Sequence, residues 1–452
     1  MGKKQEKKKH CKTVYLMVLI QVISMLALTG CNDINGTVDT VNDMTDQGIT
    51  VSNDMVIPEG AFMINAAGYE PEGSKMAILT DNSSQDSFKV IDAETGETVF
   101  TDSIRYRKET GSCDFSDLVK EGTYYILTDS GIRSEEFTVS RDIYRQILAG
   151  RISRFGEDDG ITGNDDFSSR CLKITDLLLM QEFFPSAIDR EALDDPMVIP
   201  RTVLLAKAQT EELKNTRFSS DPGVNYQYSA IMALFSYEYE RFDKKYASEC
   251  RDLSSEAYDK AEKEYEKESV GEKKAIDDKR YWASAQLYKL TGENRYRVAA
   301  EGYAKNPPGG FRRDANGYLG TIAYLTCYKR IDLNVGELLI TSLMDEINDA
   351  VRESFKEEYL TAVKGEPDDK DIETIYENAR LMVLGNYIFK NIRYIEASEN
   401  QVAYLYGRNP LGKDYAYDTG SEYYNEPMEF ILAGLIDSYI YEDKKPEAMK
   451  RQ

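Results

Sequence analysis

The chain has 452 residues, enough for one large domain and a smaller one, and a formal net charge of −23. Residues 1–30 carry six lysines and one glutamate, so without them the charge becomes −28, a surface that repels nucleic acid and anionic membrane and suits neutral substrates such as sugars. The only histidine, His10, lies in that lysine-rich start; once the start is removed, Ser-His-Asp and Cys-His catalysis and histidine-ligated zinc are excluded, and acid–base work at neutral pH falls to carboxylates, tyrosines or lysines.

Residues 1–31 read as a lipoprotein signal. Lys3, Lys4, Lys7, Lys8, Lys9 and Lys12 form the positive region, and Val14 to Leu28 is an apolar run too short for a confident spanning helix. Leu28-Thr29-Gly30-Cys31 follows, which predicts cleavage and acylation at Cys31; the alternative is an uncleaved N-terminal anchor. Either way the protein faces outward from a membrane that it meets only at its N-terminus. Residues 32–57 are rich in Thr, Asp, Asn and Gly without apolar periodicity and read as a disordered tether. As a random coil such a segment spans roughly 30 Å. Cys113, Cys171, Cys250 and Cys327 sit in apolar settings with no C-x-x-C pair, so buried free thiols are expected.

Residues 58–140 read as all-β. Phe62-Met63-Ile64, Met76 to Leu79, Phe88 to Ile91, Glu97 to Phe100, Tyr124 to Leu127 and Glu136 to Val139 are short strand candidates separated by turn signals such as Glu94-Thr95-Gly96 and Glu121-Gly122. Six or seven such strands predict a β-sandwich of immunoglobulin type. From residue 141 to 441 the period becomes helical, with about twelve amphipathic stretches, clearest at Tyr228 to Phe235 and Tyr281 to Tyr288. A dozen helices in one block predict helical hairpins arranged in a ring. Trp282, at helical spacing with Leu287 and Tyr288, is expected in the core. The charge-rich stretches Asp259 to Lys279 and Lys356 to Asp371, and the tail 442–452, read as solvated faces or loops.

The last helical pattern opens at Tyr423-Tyr424-Asn425-Glu426-Pro427-Met428-Glu429-Phe430. Glu426 falls at the first turn, with an asparagine able to cap before it and a proline after it that needs no backbone donor there. A carboxylate in this position has a defined place at the mouth of a helical fold. It also simply complements the helix dipole, which is the plainer reading of the residue taken alone.

Phe62 to Pro71 with Ser74-Lys75-Met76-Ala77 resembles the opening of the immunoglobulin-like domain of glycoside hydrolase family nine. Asp92 to Gly96 and Asp114-Phe115-Ser116 fit the same domain. Trp282 to Gly292 is similar to a barrel helix of that family, and Val402 to Gly412 is the most specific match. The resemblance covers nearly everything from about residue 60 to 440. It implies a multidomain β + α fold, an immunoglobulin-like β-sandwich followed by an (α/α)6 six-hairpin barrel. It also implies cleavage of β-1,4-glucans with inversion, which needs two carboxyl groups roughly 6.5–9.5 Å apart. Asn425-Glu426 matches the family's acid. Asp166, with Asp165 beside it, takes the place of the base, and Gly163 stands where the family's first aspartate would be. The family's His-His-Arg segment has no counterpart in the twelve residues from Lys413 to Tyr424, so sugar platforms would come from tyrosines: Tyr415, Tyr417, Tyr423 and Tyr424.

Three readings follow. The first is a surface-tethered hydrolase acting on a β-glucan or related oligosaccharide, with Glu426 as acid and Asp166, helped by Asp165, as base. The second is a catalytically degenerate relative that binds glycans at the cell surface. The third is a structural lipoprotein. No cofactor or metal is expected, since no loop has recognisable ligand spacing.

Overall fold

The computed structural model describes residues 61–80, 85–108, 110–157, 167–188, 199–214, 219–305, 315–364, 371–416 and 428–443. Its N-terminal part is a sandwich of two four-stranded antiparallel sheets, β1-β2-β6-β5 and β4-β3-β7-β8. The strands are β1 Phe62–Met63, β2 Met76–Leu79, β3 Ser87–Asp92, β4 Thr98–Ser103, β5 Arg105–Arg107, β6 Thr110–Asp114, β7 Gly122–Thr128 and β8 Phe137–Val139. Alternate residues of β3 and β7 (Phe88 and Val90, Tyr124 and Ile126) are fully buried, as a half-buried sheet requires. Tyr69 meets Phe115 and Phe137 edge-on at 5.2 and 5.4 Å and closes the core between the sheets.

The six or seven expected strands become eight among the described residues. The additions are β5, whose three residues are all exposed, and β6, Thr-Gly-Ser-Cys-Asp, which has no apolar alternation. Gly111 in β6 is there for space: a Cβ would lie 2.6 Å from Ile104 Cγ2.

The remainder is helical: α1 Ile143–Glu157, α2 Phe167–Phe183, α3 Pro185–Ile188, α4 Arg201–Lys214, α5 Pro222–Tyr239, α6 Lys244–Tyr265, α7 Val270–Thr291, α8 Asn294–Ala304, α9 Ala315–Leu325, α10 Leu333–Ser354, α11 Ile372–Ile388, α12 Ile392–Leu405 and α13 Glu429–Asp443. Their boundaries have local causes. Asp221, Asp243, Asp332 and Asn391 accept from backbone N–H groups of the first turns of α5, α6, α10 and α12. Ser269 and Glu272 form a reciprocal capping box at the start of α7, which places that start inside the charge-rich stretch read as solvated. Gly292 ends α7 in the left-handed conformation, φ 77°. Trp282 is buried, as are the four described cysteines, all free.

Side-chain pairs give the direction of each helix. Asp176 meets Arg380 and Phe183 meets Tyr387, so α2 and α11 run parallel. Asn386 donates to Ser438, and a Cβ on Gly434 would touch Val383, so α11 and α13 run parallel too. Gln227 reaches Asn316, Tyr281 reaches Thr321 and Lys289 donates to both Thr326 and Glu182, which adds α5, α7 and α9 to the set. These six form the inner layer. The helices between them return outside: along α5 and α6, Tyr226 pairs with Glu262, Ser229 with Ser254 and Ser236 with Ala247, numbers running in opposite senses. This is the (α/α)6 barrel. Its inner helices begin at one face, and at the other the buried Lys289–Glu182 pair meets the half-buried Thr326 and Tyr237.

The sandwich is keyed onto the barrel by a buried polar knot. Glu399 of α12 accepts from the hydroxyls of Tyr144 (3.0 Å) and Tyr439 (2.5 Å) and from the Ser74 N–H (3.0 Å). Burial pushes its carboxyl above the ordinary range, against those hydrogen bonds and the nearby Lys75. The Lys75 ammonium donates to the carbonyls of Glu70, Pro71 and Gly73 and so folds the 70–75 loop around itself. Farther out, Arg107 donates to the carbonyls of Phe355 and Lys356, and Thr110 to Glu358.

Candidate active site

The expected site residues lie, in the sequence, just before two of the inner helices. Asp165 and Asp166 immediately precede α2, and Glu426 lies three residues before α13. The helices α2 and α13 each run parallel to α11, and they touch where Phe430 in the first turn of α13 meets Phe183 at the end of α2. Asp165, Asp166, Glu426, Tyr417, Tyr423 and Tyr424 themselves lie outside the described residues, as does Cys31.

Asn409-Pro410-Leu411-Gly412, within the stretch of most specific resemblance, forms a buried turn after α12. Asn409 is fully buried, and its amide Nδ2 donates to the carbonyls of Tyr404 and Lys413. Its Oδ1 accepts from the N–H groups of Leu411 and Lys413. Both donors and both lone pairs are therefore used within one turn, which neither Asp nor Ser could reproduce. Gly412 closes the turn at φ +59°. The chain then pairs back along α12, with the Tyr415 N–H on the Leu405 carbonyl at 2.8 Å.

Tyr415, expected as a sugar platform, is a packing residue. It is 3% exposed, its ring lies parallel to Tyr404 at 6.5 Å, and the Lys413 ammonium sits 4.7 Å from the ring centre. A tyrosine placed between a helix end and a neighbouring ring satisfies its apolar body by burial, and spacing alone does not separate that from an open stacking surface.

Two buried ion pairs on this side of the barrel escaped the sequence reading. Arg151 of α1 donates from Nε to Glu429 Oε1 at 2.7 Å and from Nη1 to the Ala416 carbonyl at 3.2 Å. Its side chain is 7% exposed and that of Glu429 3%. The Glu429 carboxylate, with nearby Tyr406 and Tyr376, raises the Arg151 pKa against the cost of burial. Removing one partner of such a pair costs about 3–5 kcal/mol, because the other charge is left buried and alone. In the second pair, Arg380 of α11 grips both oxygens of Asp176 of α2 and lies 5.8 Å from the Phe430 ring centre. Beside it the Tyr318 hydroxyl is buried without a hydrogen-bond partner.

Comparison with known proteins matches residues 200–447 to the model described as glycosyl hydrolase family 9, and residues 58–132 to the cellulase N-terminal ig-like domain. Glu426 falls inside the first span; Asp165 and Asp166 fall outside both. Among solved structures, a metagenome-derived glycoside hydrolase family 9 endoglucanase is 15% identical, covering 84% of this chain and 98% of its own at a TM-score of 0.67. A single mutant of the thermostable endoglucanase from Alicyclobacillus acidocaldarius is 16% identical, covering 83% and 99% at 0.67. A structure in complex with cellobiose-like isofagomine is 15% identical, covering 83% and 100% at 0.66. At these identities the likeness shows the fold. No protein of curated function matches the sequence.

Proposed function

Since the chain belongs to glycosyl hydrolase family 9 and is a glycoside hydrolase, we propose that it cleaves β-1,4-linked glucan with inversion at the anomeric carbon. Glu426 donates a proton to the leaving oxygen, and Asp166, with Asp165 beside it, draws the proton from the attacking water. An inverting site holds its two carboxyl groups roughly 6.5–9.5 Å apart to leave room for that water. The observation that supports the reading is the shared direction of α2 and α13, both parallel to α11: the chain enters one from Asp166 and the other from the Asn425-Glu426 pair. The isofagomine complex of a related fold is consistent with a β-glucoside substrate. Tyr417, Tyr423 and Tyr424 supply sugar contacts, in place of the tryptophans that this chain, with one buried tryptophan, does not offer.

Reducing-sugar release from soluble β-glucan tests the assignment. Wild type releases sugar, and Glu426→Gln and Asp166→Asn each lower kcat by about 10²–10⁴-fold, the usual worth of a positioned acid or base. Equal release by all three proteins would remove both residues from the mechanism.

A second reading, a glycan-binding relative without turnover, is favoured by one observation: the family match begins at residue 200 and leaves out Asp165 and Asp166. Binding of cello-oligosaccharides with no release by wild type is its signature. In either case the Leu28-Thr29-Gly30-Cys31 stretch supports a protein outside the cytoplasm, tethered by lipid on Cys31. Cys31→Ser is expected to shift the protein from the membrane fraction to the soluble fraction or leave an unprocessed precursor. A processed protein that stays membrane-bound after the substitution would contradict the anchor.

A further inference from the structure

We propose that the groove between the last turns of α10 and the segment that follows it is a subsite for a short stretch of neutral glucan. The proposal rests on the reading that this protein acts on a β-glucan, and it names a second place where the polymer is held. The groove encloses a cavity of about 630 Å³ lined by Asp349, Arg352, Glu353, Lys356, Ala362 and Lys364, a volume usual for small-ligand sites. None of these residues belongs to the proposed acid and base. Its place follows from the helix directions. Asn348 pairs with Tyr394 and Ser354 with Gln401, so α10 runs with α12. Ser398 pairs with Ala379 and a Cβ on Gly385 would touch Tyr394, so α12 runs against α11. The groove at the end of α10 therefore lies beside the start of α11, on the face where the inner helices begin.

One wall is a stripe on α10 where acidic and basic groups alternate at helical spacing: Asp349, Arg352, Glu353, Lys356. Arg352 pairs with Asp349, and Lys356 lies 3.7 Å from Glu353. Exposed pairs of this kind are weak, so they yield to a ligand at little cost. A sugar hydroxyl both donates and accepts, and carboxylates beside cations meet it on both counts. Three cations against two carboxylates leave the lining near balance on a chain of net charge −23, which suits a neutral ligand better than an anionic one. The other wall is fixed in advance. Gln401, fully buried on α12, accepts from the Ala362 N–H at 2.9 Å and donates to Ser354 Oγ and to the Leu360 carbonyl, both at 3.2 Å. Ser354 Oγ donates to the same carbonyl at 2.7 Å. Leu360 is held at φ +57°, a left-handed conformation that a leucine adopts only where its surroundings enforce it, and residues so held gather at ligand sites. From the sandwich, Arg107 pins the near end through the Phe355 and Lys356 carbonyls. A wall already ordered spares the ligand the entropy of ordering it.

Affinity electrophoresis of the full-length protein in gels containing soluble β-1,4-glucan tests the site, with Glu426→Gln in every sample to keep the polymer intact. Arg352→Ala and Lys364→Glu, both at exposed positions, are each expected to weaken retention by about 3–10-fold, the worth of a hydrogen bond or two. Arg251→Ala, which removes an exposed cation from α6, is expected to keep full retention. Gels containing polygalacturonate, an anionic polymer, are expected to retain none of the proteins. Full retention in both groove variants, an equal loss in Arg251→Ala, or stronger retention by polygalacturonate than by glucan would overturn the proposal. Should Arg352→Ala lower the melting temperature, Lys364→Glu decides, since its side chain lies outside the helix. Reducing-sugar release by the unsubstituted protein separates the two readings. Release with full retention in the groove variants removes the subsite and leaves the hydrolase. No release with weakened retention in those variants removes the hydrolase and leaves the subsite, and retention of none of the proteins by glucan removes the subsite outright.

Discussion

The residues that organise this molecule are paired charges whose partners are far apart in the chain. Glu262 is the clearest case for a pH effect. It accepts from Arg280 Nε at 2.6 Å and Nη2 at 2.9 Å, and from the Tyr226 hydroxyl at 2.7 Å. Burial pushes its carboxyl upward, but the Arg280 and Tyr226 hydrogen bonds outweigh that and hold it below the ordinary value of 4.5. A depressed carboxylate contributes stability that is present above its unfolded pKa and lost as the pH falls through the folded one. Glu262→Gln is therefore expected to melt several degrees below wild type at pH 7, with the gap closing as the pH drops below 4.5. Such hydrogen bonds to a charged group are worth about 1.5–3 kcal/mol. A gap of constant size from pH 7 to pH 3, read by thermal melts monitored by circular dichroism, would contradict this. Nothing in the spacing of the sequence announces these pairs. Glu429 stands three residues from the proposed acid, Glu426, yet its partner Arg151 is 278 positions away, and an exposed ion pair and a buried one look alike in one dimension.

At the level of elements, the legible parts were those with strong local signals. The strand Met76–Leu79 and the helices around Tyr228 and Trp282 show in the sequence because a short continuous apolar run between turn residues, or a longer apolar-rich helical stretch, is unbroken there. The strand Thr110–Asp114 does not, since it is made by its neighbours: small residues let β5 and the Ile104 side chain approach closely, and no periodicity records that. The one-turn helix Pro185–Ile188 was missed for a related reason, being too short to show a period. The first turns of α7 are charged and read as part of a solvated stretch; the Ser269–Glu272 capping box, itself a readable signal, sets the helix start at Val270. The Val402 to Gly412 resemblance has a physical basis in Asn409, whose side chain ties the turn with four hydrogen bonds.

For the whole molecule, the order of a sandwich and then a ring of paired helices was legible from the change in hydrophobic period near residue 141, and the two family matches fall on the same two parts. The parallel run of the six inner helices was not, because it emerges only from pairs such as Asp176–Arg380 and Lys289–Thr326. That arrangement gives the barrel one face at which its inner helices begin and one at which they end. It also gives the proposed carboxylates their meaning, since each immediately precedes or lies close to the start of a neighbouring inner helix. Proton NMR of cello-oligosaccharide cleavage measures the central claim most directly. With wild type, reducing ends are expected to appear first as the α-anomer and then mutarotate, while Glu426→Gln yields no product on the same timescale. A β-anomer appearing first, or a Glu426→Gln spectrum that matches wild type, would contradict inversion by this pair of acids.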